Sequence, residues 1–250
     1  MAHLSKALLL VVLTIAPLSA QMIVQPAGKS VPQAKTREEL DTFGMILDSG
    51  SPQAILAAAE RFRNLFPKSE FYEYACVAQM QAAMDLLDTQ MAEQTASVIL
   101  KLNPNNPEAL LTLGEVNVTG FATSAGVDAA LLEHAVEYAR ASLDRLRALS
   151  LPPLSDSHTW LRTKRAMLAR AHLVLAQVAI RQGQWESAEY ELQTAIDLVP
   201  SSKAYRLLSQ VYGQTNRQEQ ALAANKKADS LAPALMDKES RVLEDRDGPR

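Results

Sequence analysis

The four histidines and the single cysteine are the side chains best suited to metal binding or nucleophilic catalysis. His134, His158 and His172 lie far apart along the chain, and neither H-E-x-x-H nor C-x-x-C occurs. A zinc site needs three or four converging ligands, so the sequence predicts no metal site. Cys76 has no base near it in the sequence that would activate the thiol as a nucleophile.

Motifs for phosphate, dinucleotide or acyl-transfer chemistry are also missing. The chain contains no P-loop, no G-x-G-x-x-G and no G-x-S-x-G. We therefore expect no enzymatic activity and no cofactor. With 25 basic and 28 acidic residues the net charge is −3, whereas a nucleic-acid-binding protein usually carries a basic stripe; nucleic acid is not an expected partner.

The composition indicates an all-α protein. Nine glycines and 5% aromatic residues are too few for a sheet-rich chain, which needs turn glycines and aromatic or β-branched strands. Helix starts are marked by a capping box at Thr36–Glu39 and by Ser51-Pro52 and Asn106-Pro107. These starts and the proline stops predict helices near 36–48, 52–65, 70–87, 89–102, 107–119, 128–150, 157–182, 184–198, 203–214 and 217–230.

The two ends of the chain have different signals. Residues 1–20 combine Lys6, an apolar run and a Pro-Leu-Ser-Ala cleavage region, which is typical of a secretory signal peptide cleaved after Ala20. The prediction is export to the periplasm or the extracellular space, with no membrane span in the mature chain; an uncleaved N-terminal anchor is the alternative. Residues 21–35 are predicted to form a flexible linker, and 234–250 a capping helix and charged tail.

The helices repeat in pairs with fixed spacing. In 169–202 the chain places small and large apolar residues at regular offsets before a closing proline, and 202–233 repeats the pattern. The residues that carry it are Leu175, Ala176, Ala179, Ala188, Leu192, Ala195 and Pro200, then Tyr205, Leu208, Ser209, Tyr212, Ala221, Ala228 and Pro233. This region resembles the tetratricopeptide-repeat (TPR) family, in which 34-residue helix pairs stack.

The resemblance implies a right-handed superhelical solenoid of about five antiparallel helix pairs over 36–233, with an irregular insert at 119–157. It places Gly114 at a helix crossing, where a large side chain would separate the helices. It also places His172 and Cys76 at packing positions, so both are expected to be buried.

The resemblance further implies a concave groove lined by the first helix of each pair. Its groove positions carry Arg170, Gln177, Lys203, Arg206 and Gln210, which are the candidate partner-binding residues, and Glu108 and Glu115 in an earlier repeat. Arg170, Lys203 and Arg206 are expected to form a basic patch able to pair with a carboxylate. The alternative interpretation of these residues is a solvated charged face.

Three functions are compatible with these patterns. The first is an exported, non-catalytic protein–protein interaction scaffold that binds a peptide segment or partner protein in the groove. The second is a structural or assembly component of the cell envelope that associates through its convex face, near Tyr190 and Leu222, or through its termini. The third is a small-molecule-binding or enzymatic role for the irregular segment 119–157.

Overall fold

The computed structural model describes residues 32–119, 128–151 and 156–231. Those residues contain ten helices and no strand. The helices are α1 (Arg37–Leu47), α2 (Pro52–Leu65), α3 (Tyr72–Asp85), α4 (Thr89–Leu102), α5 (Pro107–Thr119), α6 (Ala129–Ala148), α7 (Ser157–Arg181), α8 (Trp185–Leu198), α9 (Ser202–Gln214) and α10 (Gln218–Leu231). The expected signal peptide, most of the expected linker and the expected tail at 234–250 lie outside the described residues.

The predicted helix starts are confirmed by their caps. Thr36 Oγ1 accepts a hydrogen bond from the Glu39 amide at 3.1 Å, and Ser51 caps α2 in the same way. Asn106 Oδ1 accepts from the amides of Glu108 and Ala109 at 3.1 and 3.0 Å. These bonds satisfy amide groups that have no partner inside the helix. Predicted and observed helix ends therefore agree to within two residues.

Consecutive helices pack against each other along the whole described chain, α1 against α2 and so on to α9 against α10. In addition, α1 contacts α3, α5 contacts α7, and α7 contacts α9. The odd-numbered helices α5, α7 and α9 thus lie side by side as one layer, and α6, α8 and α10 pack against them. The predicted all-α solenoid of antiparallel helix pairs is confirmed.

Small residues lie where the helices cross. Ala188 and Ala195 are fully buried on either side of Leu192 in α8. A Cβ atom on Gly114 would lie 3.4 Å from the carbonyl oxygen of Ala135 and from a methyl group of Val174. The helices α5, α6 and α7 therefore approach closely at Gly114, where a large side chain would meet the backbone of α6 and Val174 of α7, as predicted for a helix crossing.

We expect Ala188→Leu to lower the free energy of unfolding by about 1–3 kcal/mol. Ala188 has no exposed surface, so a larger side chain forces α8 away from its neighbours. Urea denaturation measures the change, and Ala223→Leu on the exposed side of α10 is the matched control. An unchanged midpoint for Ala188→Leu would contradict the packing register.

Helices α6 and α7 are the longest of the described elements, with 20 and 25 residues. Their ends extend beyond the repeat as an antiparallel α6–α7 hairpin, formed by 140–148 and 157–168. Leu143, Leu146 and Met167 are buried in its interior. Lys164 Nζ donates to the Leu149 carbonyl at 2.7 Å and so caps the end of α6. The expected insert falls partly here, and its residues 120–127 and 152–155 lie outside the described residues.

Candidate functional site

The candidate partner-binding residues lie on two neighbouring helices of the odd-numbered layer. Arg170 and Gln177 are on α7, whereas Lys203, Arg206 and Gln210 are on α9. Helix α7 contacts both α5 and α9. The three helices therefore lie side by side and form one continuous wall.

Arg170 is held by two carboxylates of α5. Its Nη1 donates to Glu108 Oε1 at 3.1 Å. Its Nε and Nη2 donate to Glu115 Oε1 and Oε2 at 2.9 and 2.7 Å, which is the bidentate geometry that an arginine fork favours. We call these three residues the Arg170 cluster.

The Arg170 cluster is largely closed to solvent. The side chains of Glu108, Glu115 and Arg170 are 2%, 19% and 30% exposed. Burial opposes the charge of Arg170, but Glu115 and Glu108 together hold the pKa of the guanidinium above its usual value. Glu108 Oε2 is buried and accepts no hydrogen bond from any described residue.

The cluster changes the charge expected for this wall. Two carboxylates surround one guanidinium, so the cluster has a formal charge of −1 when all three groups are ionised. Arg170 therefore adds no net positive charge, and the basic patch expected from Arg170, Lys203 and Arg206 is reduced to its two members on α9.

The other candidates are more open. Lys203, Arg206 and Gln210 are exposed. Arg206 lies 3.8 Å from Asp229 Oδ1 of α10, and both side chains are mostly exposed; a surface pair of this kind contributes little to stability. Gln177 is half-buried, and its amide donates to the Leu173 carbonyl of its own helix at 3.0 Å.

His172 and Cys76 are packing residues, as predicted. His172 is buried, and its Nδ1 lies 2.6 Å from Glu191 Oε2 of α8. Cys76 is fully buried, and burial raises the pKa of its thiol to about 11. Within the described ranges, no group of three or more acidic, histidine or cysteine side chains is arranged to hold a metal ion. None of the described helices has both the length and the apolar character needed to cross a membrane.

Solved structures share this arrangement of helices. MamA from Desulfovibrio magneticus RS-1 is 18% identical with a TM-score of 0.55, covering 80% of this chain and 98% of its own. A thermophilic TPR protein of Thermus thermophilus, TTC0263, is 20% identical with a TM-score of 0.50. The match covers 83% of this chain and 95% of TTC0263. The chain has a TPR-like fold. An assembly chaperone of RpL4, Acl4, shares this TPR-like arrangement at 19% identity and a TM-score of 0.52, covering 78% of this chain and 75% of its own.

These similarities concern the fold alone. No family model matches the sequence, and no curated protein matches it. The TPR register nevertheless relates the Arg170 cluster to the groove positions described above. Arg170 and Glu108 occupy the same position in successive repeats, and Glu115 lies seven residues after Glu108, two helical turns along α5.

Sequence reasoning named all three residues of the cluster as groove positions but did not pair them. The signal was present, because equivalent positions of adjacent repeats are neighbours in a solenoid and the charges are opposite. A second contact between the same helices was also missed. Arg181 Nη2 donates to the Val118 carbonyl at 2.8 Å and so binds the end of α5 to α7.

Proposed function

We propose that this protein is a non-catalytic interaction scaffold that binds an extended segment of a partner protein along α5, α7 and α9. The observation that carries the proposal is the side-by-side contact of these helices, with Lys203, Arg206 and Gln210 exposed on α9. The Arg170 cluster supports it, because a wall held by ion pairs is preorganised and loses little conformational entropy when a partner binds.

The charges along the wall favour a particular partner. Lys203 and Arg206 are exposed on α9, so this end suits a carboxylate of the bound segment. At α5 the Arg170 cluster is closed and slightly acidic, and its arginine is already paired. We therefore infer that an acidic residue of the partner binds at the α9 end and not at Arg170.

A site-specific crosslinking experiment tests this proposal. A photoreactive amino acid at Gln210, in cells of the native host, is expected to capture a protein partner. We expect Lys203→Ala together with Arg206→Ala to reduce that adduct by roughly tenfold or more, since a charged contact is worth about 1.5–3 kcal/mol. Lys226→Ala with Lys227→Ala removes the same charge from exposed sites on α10 and is expected to leave the adduct unchanged. Equal capture by both double variants would contradict binding on α9.

A second candidate is an assembly or structural component that associates through the convex face. The exposed side chains of Tyr190 on α8 and Leu222 on α10 favour it, since they are 68% and 59% exposed. Placing the photoreactive group at Tyr190 distinguishes the two functions. Adducts at Tyr190 that survive the α9 double variant, with none at Gln210, would support this candidate.

The proposal also includes export of the protein from the cytoplasm. It is supported by the signal-like composition of residues 1–20, with cleavage expected after Ala20. The partner would then be a periplasmic or extracellular protein.

A further inference from the structure

The chain turns in the same way after α3, α7 and α9. Each of these helices ends in a Schellman motif, in which two amides beyond the helix donate to carbonyl groups of its last turn. After α3, the Leu87 amide donates to the Met84 carbonyl at 3.0 Å, and the Asp88 amide donates to the Ala83 carbonyl at 2.9 Å. The later turns repeat both bonds. The residues in the left-handed conformation are Leu87, Gly183 and Asn216, with φ of 60°, 70° and 59°.

Leucine is an unfavourable residue for this position. Glycine and asparagine adopt the left-handed conformation readily, whereas the Cβ atom of a leucine is strained there. Packing does not compensate for the strain, because Leu87 is 85% exposed, more than any other large apolar side chain of the described residues. A strained, exposed side chain where the fold accepts glycine or asparagine indicates a function for that side chain.

The charge beside Leu87 is also unfavourable for the helix. Asp85 is the last residue of α3, where the helix dipole disfavours an acidic side chain. It is exposed and makes no ion pair within the described residues. The equivalent residues after α7 and α9 are Arg181 and Gln214. Residues 69–100 contain no lysine or arginine and five acidic residues, which are Glu70, Glu73, Asp85, Asp88 and Glu93.

Two methionines lie next to this α3–α4 turn, which comprises residues 86–88. Met84 of α3 and Met91 of α4 pack against one buried group, formed by Ala83, Ala92 and Val116. The bonds of the turn hold both methionines near Leu87, since Met84 accepts the Leu87 amide and Asp88 Oδ1 accepts the Met91 amide at 3.0 Å. Both methionines are only partly buried, and methionine adapts its shape to an apolar partner.

We propose that the α3–α4 turn binds a basic amphipathic helix of a partner protein. Leu87 enters the apolar face of that helix, and Met84 and Met91 pack around the contact. Asp85 and Asp88 pair with lysine or arginine side chains beside the apolar face. Because residues 69–100 carry acidic charge alone, an acidic segment, a nucleic acid or an anionic lipid surface would be repelled. The contact uses no residue of α7 or α9 and is independent of the proposed function.

Fluorescence anisotropy with the full chain tests the proposal. The probe is a labelled peptide of leucine and lysine, arranged as an amphipathic helix of about five turns, and a peptide with glutamate in place of lysine is its control. We expect the lysine peptide to bind at least about tenfold more tightly than the glutamate peptide. Leu87→Asn is expected to weaken binding of the lysine peptide about tenfold, since burial of a leucine contributes about that factor. Leu222→Asn replaces an exposed leucine of α10 and should change binding less than about twofold.

The melting temperature distinguishes a binding role of Leu87 from a structural one. Leu87→Asn is expected to raise it by about 2–4 °C, because asparagine adopts the left-handed conformation with less strain, as Asn216 does. A variant that melts higher and binds less fits a side chain kept for a partner. A lower melting temperature would show that Leu87 stabilises the turn, and would overturn the proposal.

A pair of double variants tests the charges. Asp85→Asn with Asp88→Asn removes two carboxylates and keeps a side chain that caps α4; we expect binding of the lysine peptide to weaken about fivefold. Glu186→Gln with Glu219→Gln removes two exposed carboxylates from α8 and α10 and should change binding less than about twofold. Equal loss in the two double variants would overturn the proposal. Failure of the wild type to bind the lysine peptide, or equal binding of the glutamate peptide, would also overturn it.

Discussion

Replacing Arg170 with alanine is expected to lower the free energy of unfolding by about 3 kcal/mol. The substitution leaves Glu108, whose side chain is 2% exposed, without the cation that offsets its burial, and removes the bidentate bond to Glu115. Loss of one member of a buried ion pair costs about 3–5 kcal/mol. We expect the lower end because Arg170 itself is 30% exposed.

Urea denaturation followed by circular dichroism measures this change. Arg206→Ala is the matched control, since Arg206 has only a loose, exposed ion pair with Asp229. We expect it to lower the free energy of unfolding by less than about 1 kcal/mol. Adding Glu108→Gln to Arg170→Ala should recover part of the lost stability, because the unpaired buried charge is then removed. If Arg170→Ala and Arg206→Ala unfold at the same urea concentration, the cluster does not stabilise the fold.

The second large effect is expected for Phe62→Ala, which should lower the free energy of unfolding by about 3–5 kcal/mol. Phe62 of α2 has no exposed surface, and its ring centroid lies 5.4 Å from those of Phe43 and Phe66. Because a solenoid is stabilised by contacts between neighbouring repeats, the loss should be local. Hydrogen exchange should therefore lose protection in α1 and α2 and keep it in α9 and α10.

Leu65→Ala controls for the loss of a large apolar side chain in the same helix. Leu65 is 50% exposed, so its replacement should lower the free energy of unfolding by no more than about 0.5 kcal/mol. Uniform loss of protection through α10 in the Phe62→Ala variant would mean that the ten described helices unfold as one unit, and would contradict the local effect.

Much of the fold could be predicted from local signals. Side-chain caps such as Thr36 and Asn106 specify where helices begin, through bonds to amides two or three residues away. Alanine and glycine at fixed spacing specify where helices cross, as Ala188 and Gly114 illustrate. Both kinds of information lie within one or two repeats, so a single sequence contains them.

The candidate site was less predictable because its charges are matched over long distances. Arg170 is bonded to Glu108 and Glu115 across 62 and 55 residues, and the length of the intervening connection is irregular. Helical spacing indicated which way each side chain faces but not which partner it meets. The partner-binding roles of Gln177, Lys203, Arg206 and Gln210 stay predictions.

The basic residues of the hairpin illustrate the same limit. Arg162, Lys164 and Arg165 are scattered around the axis of α7 when that helix is considered alone. Their environments depend on the end of α6, which Lys164 caps, and on the end of α8, which Arg165 contacts. Only the packed structure distinguishes the cations that cap helices from those that remain exposed.

Helix α7 is continuous and connects the α6–α7 hairpin to the Arg170 cluster. Its 25 residues form a rod about 37 Å long, at about 1.5 Å per residue, that carries Arg162 at one end and Arg170 near its middle. Because the helix is continuous from residue 162 to residue 170, a displacement of its first turns would also move Arg170 relative to Glu108 and Glu115.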